Sequence, residues 1–282
     1  MGKIIGSQLI IDAGNLNSRN LNLKIKQAVN LSGNNNGIIV LKNVVGQRYI
    51  GDGIKGEIKI KIYGIPGNDI AAFMDGPEIE VFNNGQDGIG NTMNSGKIIL
   101  HGDCGDILGY SMRGGEIYVK GSVGWRSGIH MKSYLEKFPV IIIGGRAGNF
   151  LGEYMAGGVI IVLGLNLTGN NPNGINKGKV LKSFYFDKLF SNSNNSIVGD
   201  YTGTGMHGGV IYLKKDVEDY KLGREVRKMV IDEKDVKFID LYLKNFCSYF
   251  NLDYENIILK TFKDFIKLTP YSHRPYGKLY AY

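Results

Sequence analysis

The sequence predicts a mainly β fold, in which residues 45–214 form a single-stranded, right-handed parallel β-helix of about seven coils. Three observations lead to this prediction. Methionine and glycine recur at intervals of 19 residues, an alternating apolar stretch follows each glycine-rich turn, and the 41 glycines are about twice the roughly 7% usual in proteins. With only six prolines, this glycine content indicates repeated turns rather than collagen.

The repeat is defined by columns of residues in one register. Its spacing is interrupted twice: five residues are added after Met131, and 32 residues are added in an asparagine-rich insertion at 166–196. At the front, residues 46–60 match the unit with one residue deleted between the turn and the strand. The predicted structural repeat residues are Gly90, Gly109, Gly128, Gly152, Met74, Met93, Met112, Met131, Met155 and Met206.

The length of the repeat suits one coil of a solenoid. Strands rise about 3.3 Å per residue and stacked strands lie about 4.8 Å apart, so two or three short strands with tight corners close one coil. Methionines at one phase of the repeat then stack inside as flexible filler, an interpretation we prefer to a thioether metal site. The glycine or serine–glycine pair after each methionine stands where the chain must turn.

Residues 1–44 predict a small α/β cap for the first coil. A strand is expected at 7–12, a helix after Ser18 and a second strand at 38–41. The apolar face of the helix comprises Leu21, Ile25, Ala28 and Val29.

Residues 215–282 predict a helical extension. Amphipathic patterns indicate helices at 236–250 and 255–266, followed by an irregular tail. Because an open terminal coil exposes unpaired strand edges, these aromatic helices are expected to close that end or to dock a partner. Residues 267–282 are the predicted docking element.

Composition excludes several classes of protein. Cys104 and Cys247 are far apart and form no C-x-x-C pair, which argues against a disulfide scaffold, a zinc site or an iron–sulfur site. Neither a signal peptide nor a long apolar span is recognisable, so a cytoplasmic protein with no membrane partner is expected. The net charge of +8 would suit nucleic acid, but the lysines are dispersed along strand-like stretches, and we expect no such partner.

The motifs associated with chemistry have structural interpretations here. Two matches to G-x-G-x-x-G, Gly51-Gly53-Gly56 and Gly203-Gly205-Gly208, stand in the repeat register and precede strands, whereas a dinucleotide site needs a following helix. The histidines His101, His130, His207 and His273 show no metal-ligand spacing. The sequence therefore predicts no catalytic, cofactor-binding or metal residue, and no cofactor bound by this chain.

Two further columns carry charged or polar side chains. Lys55, Arg113, Lys132 and His207 follow the methionine position and are expected to form a basic strip, more simply a solvated face than an anion site. A second column comprises Asp87, Asp106, Asp200, Asn68 and Asn149. Like charges on adjacent coils would repel, so we expect turn hydrogen bonds, in preference to a bound cation, to hold this column.

Four stretches carry a resemblance to a known family: VVGQRYIGDGIKGEIKIKIYGIPGNDIAAFMDGP (44–77), QDGIGNTMNSGKIILHG (86–102), GIHMK (128–132) and AGNFLGEYMAGG (147–158). They closely resemble the GXGXG family, which includes the C-terminal β-helix domain of the glutamate synthase large subunit and a structural subunit of formylmethanofuran dehydrogenase. The terminal stretches IDAGNLNSRNLNLKIKQAV, GDYTGTGMHGGVIYLKKDVEDYKLG and SHRPYGKLYAY are more similar to the stand-alone archaeal glutamate synthase domain.

The resemblance implies a non-catalytic scaffold in glutamate biosynthesis and ammonia assimilation. Its partners would be an amidotransferase subunit and an FMN-dependent synthase subunit, and FMN and iron–sulfur clusters would reside in those partners. The excess of residues near 166–196 departs from the family pattern and leaves open what contacts that corner.

Two alternatives remain at the level of sequence. One is the GXGXG-type subunit of a formylmethanofuran dehydrogenase, also structural, in a molybdenum or tungsten complex of methanogenesis. The other is a left-handed hexapeptide acyltransferase, but the hexapeptide pattern does not recur and the period of 19 differs from its coils of about 18 residues.

Overall fold

The structure, a computed structural model, describes residues 3–5, 8–32, 37–165, 196–258 and 262–272. The described strands form one 12-stranded sheet in the order β1 to β10, then β12, then β11. The strands are β1 (Lys3–Ile5), β2 (Gln8–Asp12), β3 (Ile38–Val45), β4 (Lys59–Ile65), β5 (Asp75–Val81), β6 (Ser95–Leu100), β7 (Gly115–Val119), β8 (Pro139–Ile143), β9 (Ala156–Val162), β10 (Gly208–Leu213), β11 (Val226–Val230) and β12 (Ile266–Pro270). The helices are α1 (Ser18–Ser32), α2 (Glu233–Phe250) and α3 (Tyr254–Ile258), with 3-10 turns at Asp219–Lys221 and Phe262–Asp264.

Strands β2 to β10 pair in parallel with their sequence neighbours, which confirms the predicted parallel β-helix. The solenoid has about six turns, slightly fewer than the seven expected, because seven stacked strands from β4 to β10 are separated by six turns of chain. Aligned isoleucines mark the register: Ile60, Ile79, Ile98, Ile117, Ile141, Ile160 and Ile211.

The spacing of these isoleucines locates the irregularities of the repeat. The interval is 19 residues except from Ile117 to Ile141, where it is 24, and from Ile160 to Ile211, where it is 51. The excesses of five and 32 residues equal those seen in the methionine column. The insertion at 166–196 falls almost wholly outside the described residues, and its projection as a loop stays a prediction.

Each coil contains a six-residue segment of two overlapping turns, which we call the turn ribbon. The seven ribbons are residues 49–54, 69–74, 88–93, 107–112, 126–131, 150–155 and 201–206. In the fourth ribbon the N–H of Tyr110 donates to the carbonyl of Ile107, and that of Met112 donates to Gly109. Ribbon positions 1, 3 and 5 have positive φ, so positions 3 and 5 are the third residues of successive turns with the type II pattern.

The interior is filled by side chains from the ribbons and the strands. Position 6 carries the methionine column, and Met74, Met93, Met112, Met131, Met155 and Met206 have no exposed surface. Position 3 is glycine in every ribbon except the second, where Ala71 has φ of 61°. A Cβ on Gly109 would lie 2.6 Å from Cδ1 of Ile141, and one on Gly152 would lie 2.7 Å from Cδ1 of Ile211. These glycines therefore let each ribbon approach the strand of the next coil.

The N-terminal cap has the predicted order of elements. Strand β2 pairs in parallel with β3, β1 adds an antiparallel edge, and α1 connects β2 to β3. Leu21, Ile25 and Ala28 of α1 are buried in the same core as the solenoid interior.

The C-terminal extension differs from its prediction in two ways. The helix expected at 255–266 is wrong in its second half, because a 3-10 turn at 262–264 and strand β12 follow α3. Strand β12 pairs antiparallel with both β10 and β11, so these two strands, rather than a helix, continue the sheet beyond the last coil. Residues 273–282 of the expected irregular tail lie outside the described residues.

Helix α2 packs on the outer face of the sheet instead of closing the end of the solenoid. Ile239, Leu243 and Phe246 are buried in a second core with outward side chains of strands β6 to β10. None of the helices in the described part of the chain is long and apolar enough to cross a bilayer.

We expect Gly109→Ala to be far more destabilising than Gly53→Ala. Both glycines have positive φ, of 65° and 64°, which costs an L residue roughly 1–2 kcal/mol. Nothing lies within 4 Å of a Cβ on Gly53, whereas the Cβ on Gly109 overlaps Ile141 and adds an overpacking cost of about 1–3 kcal/mol. Denaturant unfolding of the two variants measures the difference, and equal losses would contradict the ribbon-to-strand contact.

Candidate functional site

The two G-x-G-x-x-G motifs lie in the first and seventh turn ribbons. Gly51 and Gly53 lead to β4, and Gly203 and Gly205 lead to β10, so a strand follows each motif. The N–H of Gly53 donates to Ala72 in the next coil, and that of Gly203 donates to Leu151 in the preceding coil. These amides hold coils together, and the motifs serve the turns, as the sequence indicates.

The histidines lie on separate faces. His101 lies on the outer face of the sheet, with Nε2 3.0 Å from Oε1 of Glu80 and its ring between Phe82 and Phe250. His130 lies in a turn ribbon, and Nδ1 of His207 is 3.2 Å from the carbonyl of Gly205. His273 lies outside the described residues. Among the residues that are described, no group of three His, Cys, Asp or Glu side chains is placed to hold a metal ion.

Both cysteines are buried thiols. Burial, assisted by the nearby carboxylates of Asp87 and Asp103, raises the pKa of Cys104, and burial raises the pKa of Cys247 to about 11. A thiol with a raised pKa holds little thiolate and is a poor nucleophile. Neither cysteine has the environment of a reactive residue.

The Asp and Asn column forms a ladder of side chain to backbone hydrogen bonds at one corner of the solenoid. Oδ1 of Asp87 accepts from the N–H of Asp106 at 2.9 Å, and Oδ1 of Asp106 accepts from the N–H of Trp125 at 2.7 Å. Oδ1 of Asn149 likewise accepts from Asp200, whose carboxylate pairs with Lys221 at 3.0 Å. These bonds support the turn interpretation over a bound cation.

A second ladder at the neighbouring corner escaped the sequence reasoning. Oδ1 of Asn84 accepts from the N–H of Asp103, and Oδ1 of Asp103 accepts from the N–H of Ser122. The interval of 19 residues between Asn84, Asp103 and Ser122 was a usable signal. In both ladders a glycine precedes the donor, because a Cβ there would collide with the accepting oxygen, as at Gly105 and Gly121.

The expected basic strip is not continuous. Asp75, Asn94 and Ala156 occupy the same column in the second, third and sixth coils. Among its basic residues, only Arg113 and Lys132 belong to adjacent coils, where their N–H groups donate to Met93 and Met112. The column is therefore mixed at the front of the solenoid and basic only in its later coils.

The outward face of the turn ribbons carries aromatic side chains that sequence reasoning did not identify. The rings of His130 and Tyr154 stack at 5.4 Å, those of Phe150 and Tyr201 stack at 5.0 Å, and the Arg126 guanidinium lies 5.3 Å from the Phe150 ring. Tyr49, Phe73, Tyr110, Trp125, Tyr154 and Tyr201 are between 37% and 55% exposed. Their positions, two residues before or after the central glycine or next to these, were the available signal.

A buried ion pair fixes α2 to the solenoid. The carboxylate of Asp235 accepts from Tyr212 Oη of β10 at 2.5 Å and from Lys267 Nζ of β12 at 2.7 Å. Asp235 also forms a capping box with Asp232 at the start of α2. Desolvation opposes ionisation, but the bonds from Lys267 and Tyr212 outweigh it and lower the pKa of Asp235.

The fold and its surfaces define a parallel β-solenoid with a filled interior, whose distinctive chemistry lies in repeated glycine-centred turns. The chain belongs to the GXGXG motif family, whose sequence model matches residues 18–271. It is 44% identical over 279 residues to the uncharacterized protein MJ1350 of Methanocaldococcus jannaschii, an alignment that covers 97% of each chain. The glutamate synthase-related character of the repeat is thus shown at the level of the family.

We expect Asp235→Asn to lower the free energy of unfolding by about 3 kcal/mol at pH 7, because it leaves Lys267 without its carboxylate. The pKa of Asp235 is lowered in the folded state, so its contribution is present above the unfolded pKa of about 3.9 and is lost as the pH falls through the folded pKa. Denaturant midpoints of both proteins between pH 7 and pH 3 should therefore converge at the acid end.

Lys244→Ala is the control for this prediction. It removes an exposed pair with Asp240 on the same helix, where an i,i+4 pair contributes only about 0.5 kcal/mol. A loss for Asp235→Asn no greater than that of the control would show that Asp235 does not fix the helix.

Proposed function

We propose that this protein is a non-catalytic structural subunit of a glutamate synthase-type complex, in which it scaffolds an amidotransferase subunit and an FMN-dependent synthase subunit. The proposal rests chiefly on one observation, that the GXGXG match extends over residues 18–271 and so includes both the caps and the solenoid.

The physical character of the solenoid supports a scaffolding role. Methionine and isoleucine side chains fill its interior, and hydrogen bonds from ribbons, corners and strands join every coil to the next. Such a body is stiff along its length and offers long lateral surfaces, which is how solenoid proteins bind partners. The FMN and iron–sulfur chemistry of the complex would then belong to the partner subunits.

The experiment is affinity purification of the tagged full-length chain from its own organism at moderate salt, followed by mass spectrometry and cofactor analysis. The expected result is recovery of a glutamine amidotransferase and a flavoprotein, with FMN in about equal amount to the chain. Recovery of molybdopterin or tungsten subunits would instead favour the structural subunit of a formylmethanofuran dehydrogenase. Acyl-transfer activity of the isolated chain would contradict both.

The docking role expected of residues 267–282 needs a different test from simple removal of that segment. Residues 267–270 belong to β12 and Lys267 pairs with Asp235, so deletion from 267 would disturb the solenoid end itself. We expect deletion of 273–282 to weaken co-purification at least tenfold while the β-rich circular dichroism and the unfolding midpoint stay unchanged. Unchanged recovery of the partners would refute the docking role.

A further inference from the structure

The outward face of the turn ribbons combines backbone strain with exposed aromatic rings. Ribbon positions 1 and 5 have positive φ, yet eleven of these fourteen positions carry a side chain. They are Tyr49, Asp69, Phe73, Thr92, Ile107, Ser111, Arg126, His130, Phe150, Tyr154 and Tyr201. Glycine would avoid roughly 1–2 kcal/mol at each, and strained positions of this kind concentrate at functional surfaces.

Contacts within the chain account for only part of these side chains. His130, Phe150, Tyr154 and Tyr201 stack along the solenoid, but Phe73 is 55% exposed, and the fourth ribbon adds Tyr110 at 37%. Exposed apolar patches of several hundred square ångströms generally mark interaction sites. The patch calls for a partner with a complementary surface.

The stacking geometry argues against nucleic acid as that partner. Bases bind on the free faces of aromatic rings. Here the faces of Phe150 are occupied by Tyr201 and Arg126, and the ring of His130 stacks on Tyr154, so mainly ring edges remain. Asp69 and the buried Glu153 also lie within the ribbons. Ring edges with mixed charges suit a protein surface.

The two edges of this face carry opposite charges in the later coils. The residues that directly precede the fourth, fifth and seventh ribbons are Asp106, Trp125 and Asp200. The residues that directly follow the same ribbons are Arg113, Lys132 and His207. The face therefore has an acidic and aromatic edge and a basic edge, which makes it complementary to a second copy of itself.

We infer that the outward face of the turn ribbons is a homodimer interface, formed about a twofold axis parallel to the axis of the solenoid. This rotation brings the acidic edge of one copy against the basic edge of the other at the same coil, so Asp106 faces Arg113 and Trp125 faces Lys132. A twofold axis along the ribbons would instead place like edges together, and the basic edges would repel. Arg48 and Lys55 oppose each other only at the first coil.

The size of the face fits a stable dimer. Seven coils at about 4.8 Å extend roughly 34 Å. With a width of about 20 Å, the face offers roughly 700 Å² per copy, close to the about 800 Å² per partner of a standard interface. The inference does not depend on the proposed scaffold function, because it concerns the isolated chain.

The test begins with the mass of the purified full-length chain by light scattering and sedimentation. The expected result is a dimer, and a monomer at all concentrations up to about 100 µM, well above ordinary dimer dissociation constants, would overturn the inference. Phe73→Glu places a carboxylate opposite Asp69 of the other copy and should raise the dimer dissociation constant at least tenfold. Leu241→Glu, at an exposed site on α2, is the control and should leave it unchanged.

Cross-linking tests the direction of the axis. Tyr110 lies next to the centre of its ribbon, so Tyr110→Cys should join two copies through a bismaleimide that spans about 10 Å, the usual separation of packed sheets. Cys104 and Cys247 are buried, so the unsubstituted protein should not react. A dimer insensitive to Phe73→Glu, failure of Tyr110→Cys to cross-link, or cross-linking of this face to another protein alone would each overturn the inference.

Discussion

The approach of each turn ribbon to the strand of the next coil is the contact on which the solenoid depends. A side chain at ribbon position 3 would overlap the isoleucine of that strand, as the short distance from Gly109 to Ile141 shows. The central glycine therefore meets two requirements at once, a positive φ and the absence of a Cβ. Interior methionine adapts to the narrow space that remains, because its side chain is flexible and unbranched.

Most of the solenoid could be predicted because its inward positions repeat. The glycine, methionine and isoleucine columns each have to fit the same interior in every coil, so they keep residue type as well as spacing. Outward ribbon positions meet no such constraint, and their residue types vary from Asp69 to Phe150. The aromatic face could therefore be found only once the ribbon geometry was known, and the Asn84 ladder only once its spacing was tested against the corners.

The extension shows where local pattern fails. The sequence at 255–266 has a helical alternation of apolar and polar residues, but the edge of β10 would otherwise leave a row of unpaired N–H and C=O groups. Pairing of β12 with β10 satisfies those groups, and this long-range requirement outweighs helix propensity. The position of α2 depends on outward apolar residues of β6 to β10 and on Asp235, and sequence periodicity does not reveal which face such a helix covers.

The inserted residues after Met131 leave the strand register intact, since Ile117 still pairs with Ile141. Length in this fold is thus decoupled from cross-section: additions at a corner change the local outline, whereas whole coils change only the distance between the two ends. A chain built in this way acts as a molecular spacer that can be lengthened or shortened in steps of about 4.8 Å. Whatever is bound at its ends would be set apart by the number of coils between them.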